Sequence, residues 1–204
     1  MLSWLTGHWS EVLGFVTGAG CVILAARRNI LTFPLGIANN LVFIVLFSAN
    51  GLYANVGLQA LFLVLGIHGW SNWHRSRTRP AFASHTPRSA IGVLVIAAVA
   101  MTGLLYLVLR VRGESTLPIA DAATTAVSLT AQYMLNRRWL ENWLVWIAVD
   151  VAYVVLFWST GLPITALLYL LFIGLCIHGY VGWRPTLLTS APTTVIDTPA
   201  ARDA

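Results

Sequence analysis

The sequence predicts an all-α polytopic membrane protein in which seven transmembrane helices form two parallel three-helix repeats joined by a linker helix. Three observations carry this. The 204 residues are 58% hydrophobic and 9% charged, with a mean hydropathy of +0.77, whereas a soluble domain carries about 25% charged residues. Apolar runs at residues 10–26, 31–49, 52–73, 89–109, 118–136, 139–159 and 162–183 meet or approach the roughly 20 residues needed to span a bilayer. A shift of 110 positions aligns Arg27 to Trp73 with Arg137 to Trp183 without a gap, and 17 of the 47 positions are identical.

Residues 1–9 lack the basic start, apolar core and small-residue cleavage site of a signal peptide, so this segment is expected to stay on the mature protein. In the first apolar run Gly14 and Gly18 make a small-xxx-small face suited to helix packing. Pro34 falls in the first turn of the second run, and Pro118 and Pro163 fall where helices should begin, positions that need no backbone N–H donor. Glu141 follows Arg137 by four, which predicts an ion pair at a helix entry. Past residue 183 the tail, rich in Thr, Ala and Pro, reads as disordered.

All twelve basic residues are arginine and the net charge is +5. Most sit in short loops: Arg27 and Arg28, then Arg75, Arg77, Arg79 and Arg88, then Arg137 and Arg138, then Arg184. If those loops face the cytoplasm, the positive-inside rule puts the N-terminus outside and the C-terminus inside. The charge thus reports membrane orientation, and no nucleic-acid partner is implied. Two directly joined three-helix repeats would be inverted, and the unmatched fourth helix restores a parallel relation, with the binding site expected near the midplane between repeats. The expected organisation is an N-terminal segment at 1–9, a first bundle at 10–73, a cytoplasmic loop at 74–88, a linker helix at 89–109, a second bundle at 118–183 and a cytoplasmic tail at 184–204.

Trp139, Trp143, Trp146 and Asp150 share one stripe on a helix. A carboxylate near the bilayer midplane costs at least about 2.5–3.5 kcal/mol, so the stripe must face protein or a polar cavity. Indole faces attract cations, which suggests a flat, cationic solute; aromatic packing with Asp150 hydrogen-bonded inside the bundle is the alternative. The repeat matches Asp150 with Asn40, beside Asn39, and Gln59 with Tyr169. Cys21 and Cys176 lie in apolar runs with no second ligand at a useful spacing, so they read as small buried hydrophobes. His68 and His178 are repeat equivalents and read as packing or interfacial residues, and Trp70, Trp73 and Trp183 as interfacial anchors. No metal or cofactor is implied.

The segments LGFVTGAGCVILAARRN, FPLGIANN, GLYANVGLQ and IHGWSNW, and above all LTAQYMLNRRWLENWLVWIAVD, resemble the PnuC family of bacterial vitamin transporters over nearly the whole chain. The chain departs from many members at His68 and Pro163. The resemblance implies a SWEET-like 3+1+3 fold in the bacterial cytoplasmic membrane and facilitated diffusion of nicotinamide riboside, trapped by a cytosolic kinase. Gln132, Asn142, Trp143, Trp146 and Asp150 would bind the solute, with Gln59, Tyr169, Asn39 and Asn40 completing the cavity. Thiamine or riboflavin as solute, and proton coupling through Asp150 or Asp121, stay open, as does homo-oligomer formation. An enzyme acting on nucleosides finds no phosphate-cradling glycine loop, no nucleophile with its base and no metal cluster in the sequence.

Overall fold

The computed structural model describes residues 9–49, 51, 53–76, 81–113 and 117–190; the expected N-terminal segment, apart from Trp9, and residues 191–204 of the tail lie outside them. Among the described residues seven α-helices follow one another: α1 (Trp9–Ala26), α2 (Thr32–Ala49), α3 (Tyr53–Arg75), α4 (Arg88–Arg112), α5 (Pro118–Asn136), α6 (Asn142–Ser159) and α7 (Pro163–Trp183). Among the described residues four segments, Thr32–Ala49, Arg88–Arg112, Asn142–Ser159 and Pro163–Leu187, are long and apolar enough to cross a membrane. Helices α3 and α5 are less apolar because they carry inward-facing amides, among them Gln59, Gln132 and Asn136. Helix α4 has no buried residue, and its Val93, Ile96 and Val99 are exposed, a surface suited to lipid.

Two differences from the sequence reading are local. Helix α6 starts at Asn142, not near Trp139, because the chain there makes a β-bridge to Ser84. Residues Arg184–Ser190, expected to begin an irregular tail, form a 3-10 helix whose Leu187 packs on the core.

Features recur at the 110-residue spacing. Arg28 and Arg138 both have left-handed backbones, φ 59° and 60°. Each is the C′ residue of a Schellman end: Asn29 N donates to Leu24 O and Arg28 N to Ala25 O, while Trp139 N donates to Met134 O and Arg138 N to Leu135 O. That position ordinarily favours glycine. Here the guanidinium groups stand over the Phe82 ring at 5.9 and 5.2 Å, a cation–π contact that offsets the backbone cost. Gly51 and Gly161, with φ 73° and 76°, form the matching turns after α2 and α6.

The core lies at the arginine-rich end. Trp73 Nε1 donates to Leu135 O at 3.2 Å and Trp183 Nε1 donates to Ala25 O at 3.1 Å, so α3 is bonded to α5 and α7 to α1. Phe33 meets Trp73 edge-on at 5.0 Å, and Trp143 meets Trp183 edge-on at 5.3 Å. Phe82 inserts between Trp73 and Trp183 at 5.0 Å from each. Trp73 and Trp183 are therefore core residues, 3% and 0% exposed, and not interfacial anchors; buried indoles need a partner for N–H, and the crossed carbonyls supply it. Gly14 and Gly18 do serve packing, against Phe43 of α2 and Phe172 of α7.

The segment carrying Phe82 is strapped to α6. Ser84 N donates to Arg138 O and Leu140 N to Ser84 O. Glu141 accepts from His85 Nδ1 at 2.6 Å and from Thr86 N and Oγ1 at 2.8 and 2.7 Å. This replaces the expected pair with Arg137, whose guanidinium instead stands over the Tyr133 and Trp139 rings. Partial burial pushes the Glu141 carboxyl up, but the bonds from His85 and Thr86 together hold it below its ordinary value of 4.5. A depressed carboxyl contributes stability above its unfolded value and loses it as pH falls through the folded one. Glu141→Gln should lower the melting temperature at pH 7 and flatten its decline below about pH 4.5; an unchanged acid profile in thermal unfolding would refute that role.

Candidate functional site

A cavity of about 370 Å³ opens among six of the helices, within the range of small-molecule sites. Its walls come from α1, α2, α3, α5, α6 and α7, and α4 contributes nothing. Antiparallel neighbours α5 and α6 set the depth: Gln132 stands one turn before the end of α5, and Trp146 one turn after the start of α6.

Eight of the nine residues expected from the sequence line this cavity: Asn39, Asn40, Gln59, Gln132, Trp143, Trp146, Asp150 and Tyr169. Asn142 does not. Because α6 begins there, its side chain closes the preceding turn, donating from Nδ2 to Trp139 O at 2.6 Å, and it is 0% exposed. Trp139 leaves the stripe for the same reason and packs on Tyr133 at 5.9 Å.

The two tryptophans differ. Trp143 is 1% exposed and seated over Gly179, where an added Cβ would lie 2.6 Å from the indole. Trp146 is only partly buried and offers more of its surface to the cavity. Asp150 is 6% exposed; its Oδ2 accepts from the Cys176 thiol at 3.7 Å. Thr17 Oγ1 lies 2.7 Å from Asn39 Oδ1, and Gln132 Nε2 donates to Asn136 Oδ1 at 3.1 Å.

Tyr169 belongs to an aromatic cluster, 4.7 Å from Tyr153, 5.4 Å from Phe157 and 5.9 Å from Phe172. Tyr153 and Phe172 also line the cavity and were missed by the sequence reading. Tyr153 follows Asp150 by three, and Phe172 is the repeat partner of lining residue Phe62, signals that would have found them. Cys21 and Cys176 line the wall too. His68 stacks with Tyr133 at 6.4 Å, away from the cavity, and His178 is exposed. Among the described residues no three His, Cys, Asp or Glu side chains are grouped to hold a metal.

The chain is similar to the nicotinamide riboside transporter PnuC of Escherichia coli (strain K12), 24% identical over 209 residues, covering 86% of this chain and 84% of the relative. It is also similar to the riboflavin/roseoflavin transporter RibM of Streptomyces davaonensis, 26% identical over 182 residues with the same coverage of each chain. The crystal structure of the vitamin B3 transporter PnuC superposes with a TM-score of 0.70 at 22% identity, covering 93% of this chain and 86% of that one, which shows a shared fold. The model of the family described as nicotinamide mononucleotide transporter matches residues 8–185, and the chain belongs to that family, as a transporter of the PnuC type and not an enzyme.

Proposed function

We propose that the protein is a facilitated-diffusion importer of nicotinamide riboside, made one-way by phosphorylation of the solute in the cytosol. The observation that carries this is the cavity wall: Trp146 and Asp150 offer an indole and a carboxylate, and among the described residues no Lys, Arg or His lines it. A permanent pyridinium charge suits both groups. A phosphate, as on the mononucleotide, would meet Asp150 with no cation to balance it, so the unphosphorylated nucleoside fits and its phosphorylated product does not. The name of the Escherichia coli relative agrees with this solute. A second reading, riboflavin, is favoured by the similarity to the Streptomyces transporter and by the aromatic Tyr153–Tyr169 wall, on which a neutral flavin could stack.

All seven helices cross the bacterial cytoplasmic membrane in this account, as two parallel three-helix repeats, 10–73 and 118–183, with α4 as linker and a pseudo-twofold axis along the membrane normal. Support comes from the paired Schellman ends, the paired glycine turns and the exchanged tryptophan bonds. With the arginine loops cytoplasmic, the N-terminus is outside, the C-terminus inside, and the Trp73, Phe82 and Trp183 cluster closes the cytoplasmic end.

Purified protein in liposomes should let labelled nicotinamide riboside equilibrate in both directions without any ion gradient. The recovered solute should be chemically unchanged, and enclosed kinase with ATP should convert equilibration into accumulation. Strict dependence on a proton gradient, or recovery of a converted product, would overturn the proposal.

A further inference from the structure

We propose that Asn136 is a positioning residue that fixes the Gln132 side chain as a hydrogen-bond acceptor toward the cavity, so that the transporter selects a carboxamide over a carboxylate on the solute ring. This rests on the nicotinamide riboside reading above and adds to it the polarity of one wall.

One group beside Asn136 has a single hydrogen-bonding sense. The Leu65 carbonyl can only accept, and the Asn136 side chain lies 2.7 Å from it. That end of the Asn136 amide is therefore Nδ2, and Oδ1 points the other way. Gln132 meets Asn136 Oδ1 at 3.1 Å, so the Gln132 atom there must be Nε2, and its Oε1 is left for the cavity that Gln132 lines. Among the described residues Oε1 receives no hydrogen bond. Each orientation follows from the one before, and the first is set by main chain.

Asn136 cannot turn to reverse this. It is 0% exposed, its backbone O accepts from Asn72 Nδ2 at 2.6 Å, and it fills the space that a Cβ on Gly69 would take. Gly69 is thus what lets α5 approach α3 closely enough for Asn136 to reach Leu65 O. The repeat-equivalent positions carry Ala26 for Asn136 and Val22 for Gln132, so only one half of the cavity has the relay. Gln132 lies one turn from its helix end, at the depth of Trp146, so a ring stacked on that indole brings its own substituent to Oε1. A carboxamide N–H satisfies this acceptor, whereas a carboxylate presents oxygen to oxygen in a poorly solvated site.

The test is calorimetric titration of the full-length protein with nicotinamide riboside and with nicotinate riboside, in which a carboxylate replaces the carboxamide. The wild type should prefer the carboxamide by at least about tenfold, as expected for a site with an unpaired buried polar group against the wrong solute. Asn136→Leu frees Gln132 to turn its amide, and the preference should fall to about threefold or less. Asn136→Asp keeps an acceptor facing Gln132 Nε2 and should retain the preference, although both affinities fall. If Asn136→Leu does not fold, Asn136→Ala, which copies the Ala26 of the other repeat, is read by the same ratio. A ratio unchanged in the Leu or Ala variant, or lost equally in the Asp variant, overturns the inference. Failure of the wild type to bind nicotinamide riboside overturns instead the reading on which it rests.

Discussion

Trp146→Ala is expected to weaken nicotinamide riboside binding about tenfold or more while leaving the melting temperature within about 2 °C of wild type, and Trp143→Ala is expected mainly to unfold the protein. The sequence treats the two indoles as equivalent on one stripe, but their surroundings separate them. Trp146 is partly buried on the cavity wall. Its removal takes away stacking worth about 0.5–1.5 kcal/mol beyond area burial and cation attraction of about 0.5–2 kcal/mol, at about 1.4 kcal/mol per tenfold in affinity. Trp143 is 1% exposed, edge-on to Trp183 and seated on Gly179. Truncating a buried tryptophan costs about 3–5 kcal/mol, so its loss of binding would follow from loss of structure. Thermal unfolding alongside titration separates the cases, and full affinity in Trp146→Ala would make its partly buried indole mere packing.

Asp150→Asn should cut affinity for the cationic nicotinamide riboside by about tenfold and leave affinity for neutral riboflavin within about twofold. The carboxylate is 6% exposed on the cavity wall, and the only group bonded to it among the described residues is the Cys176 thiol. Among the described residues no cation of the protein lines the cavity beside it, so its charge is available to a solute cation, and attraction in a partly desolvated site exceeds that in water. The isosteric amide keeps the shape and removes the charge. Equal losses for both vitamins would show Asp150 acting on structure, and transport by the variant that has lost its response to a pH gradient would revive proton coupling.

The repeat was legible because its two copies kept identical residues where backbone and packing demand them. Gly51 and Gly161 take positive φ, Gly69 and Gly179 receive bulky neighbours, and Trp73 and Trp183 need carbonyl partners. Of the eight expected residues that line one cavity, helix spacing and the repeat pointed to seven, and the resemblance to the PnuC family added Gln132. What stayed illegible depended on contacts between segments far apart in sequence. The segment around Ser84 ends the helical stripe before Trp139 and takes Glu141 from Arg137, and nothing within residues 137–142 announces it. Trp73 and Trp183 sit at helix ends, where an interfacial role and a crossed core pair look alike until the partner carbonyls are seen. Asn142 shares the motif of the binding residues, but its helix start turns it inward.

Calorimetric titration of the purified protein with nicotinamide riboside, thiamine and riboflavin, together with nicotinamide mononucleotide, asks whether this cavity binds an unphosphorylated cationic vitamin. The account predicts saturable binding of nicotinamide riboside, weaker binding of the other two vitamins and none of the mononucleotide. Binding of the mononucleotide as tight as that of the riboside would overturn this reading, because among the described residues the wall holds Asp150 and no basic side chain to receive a phosphate.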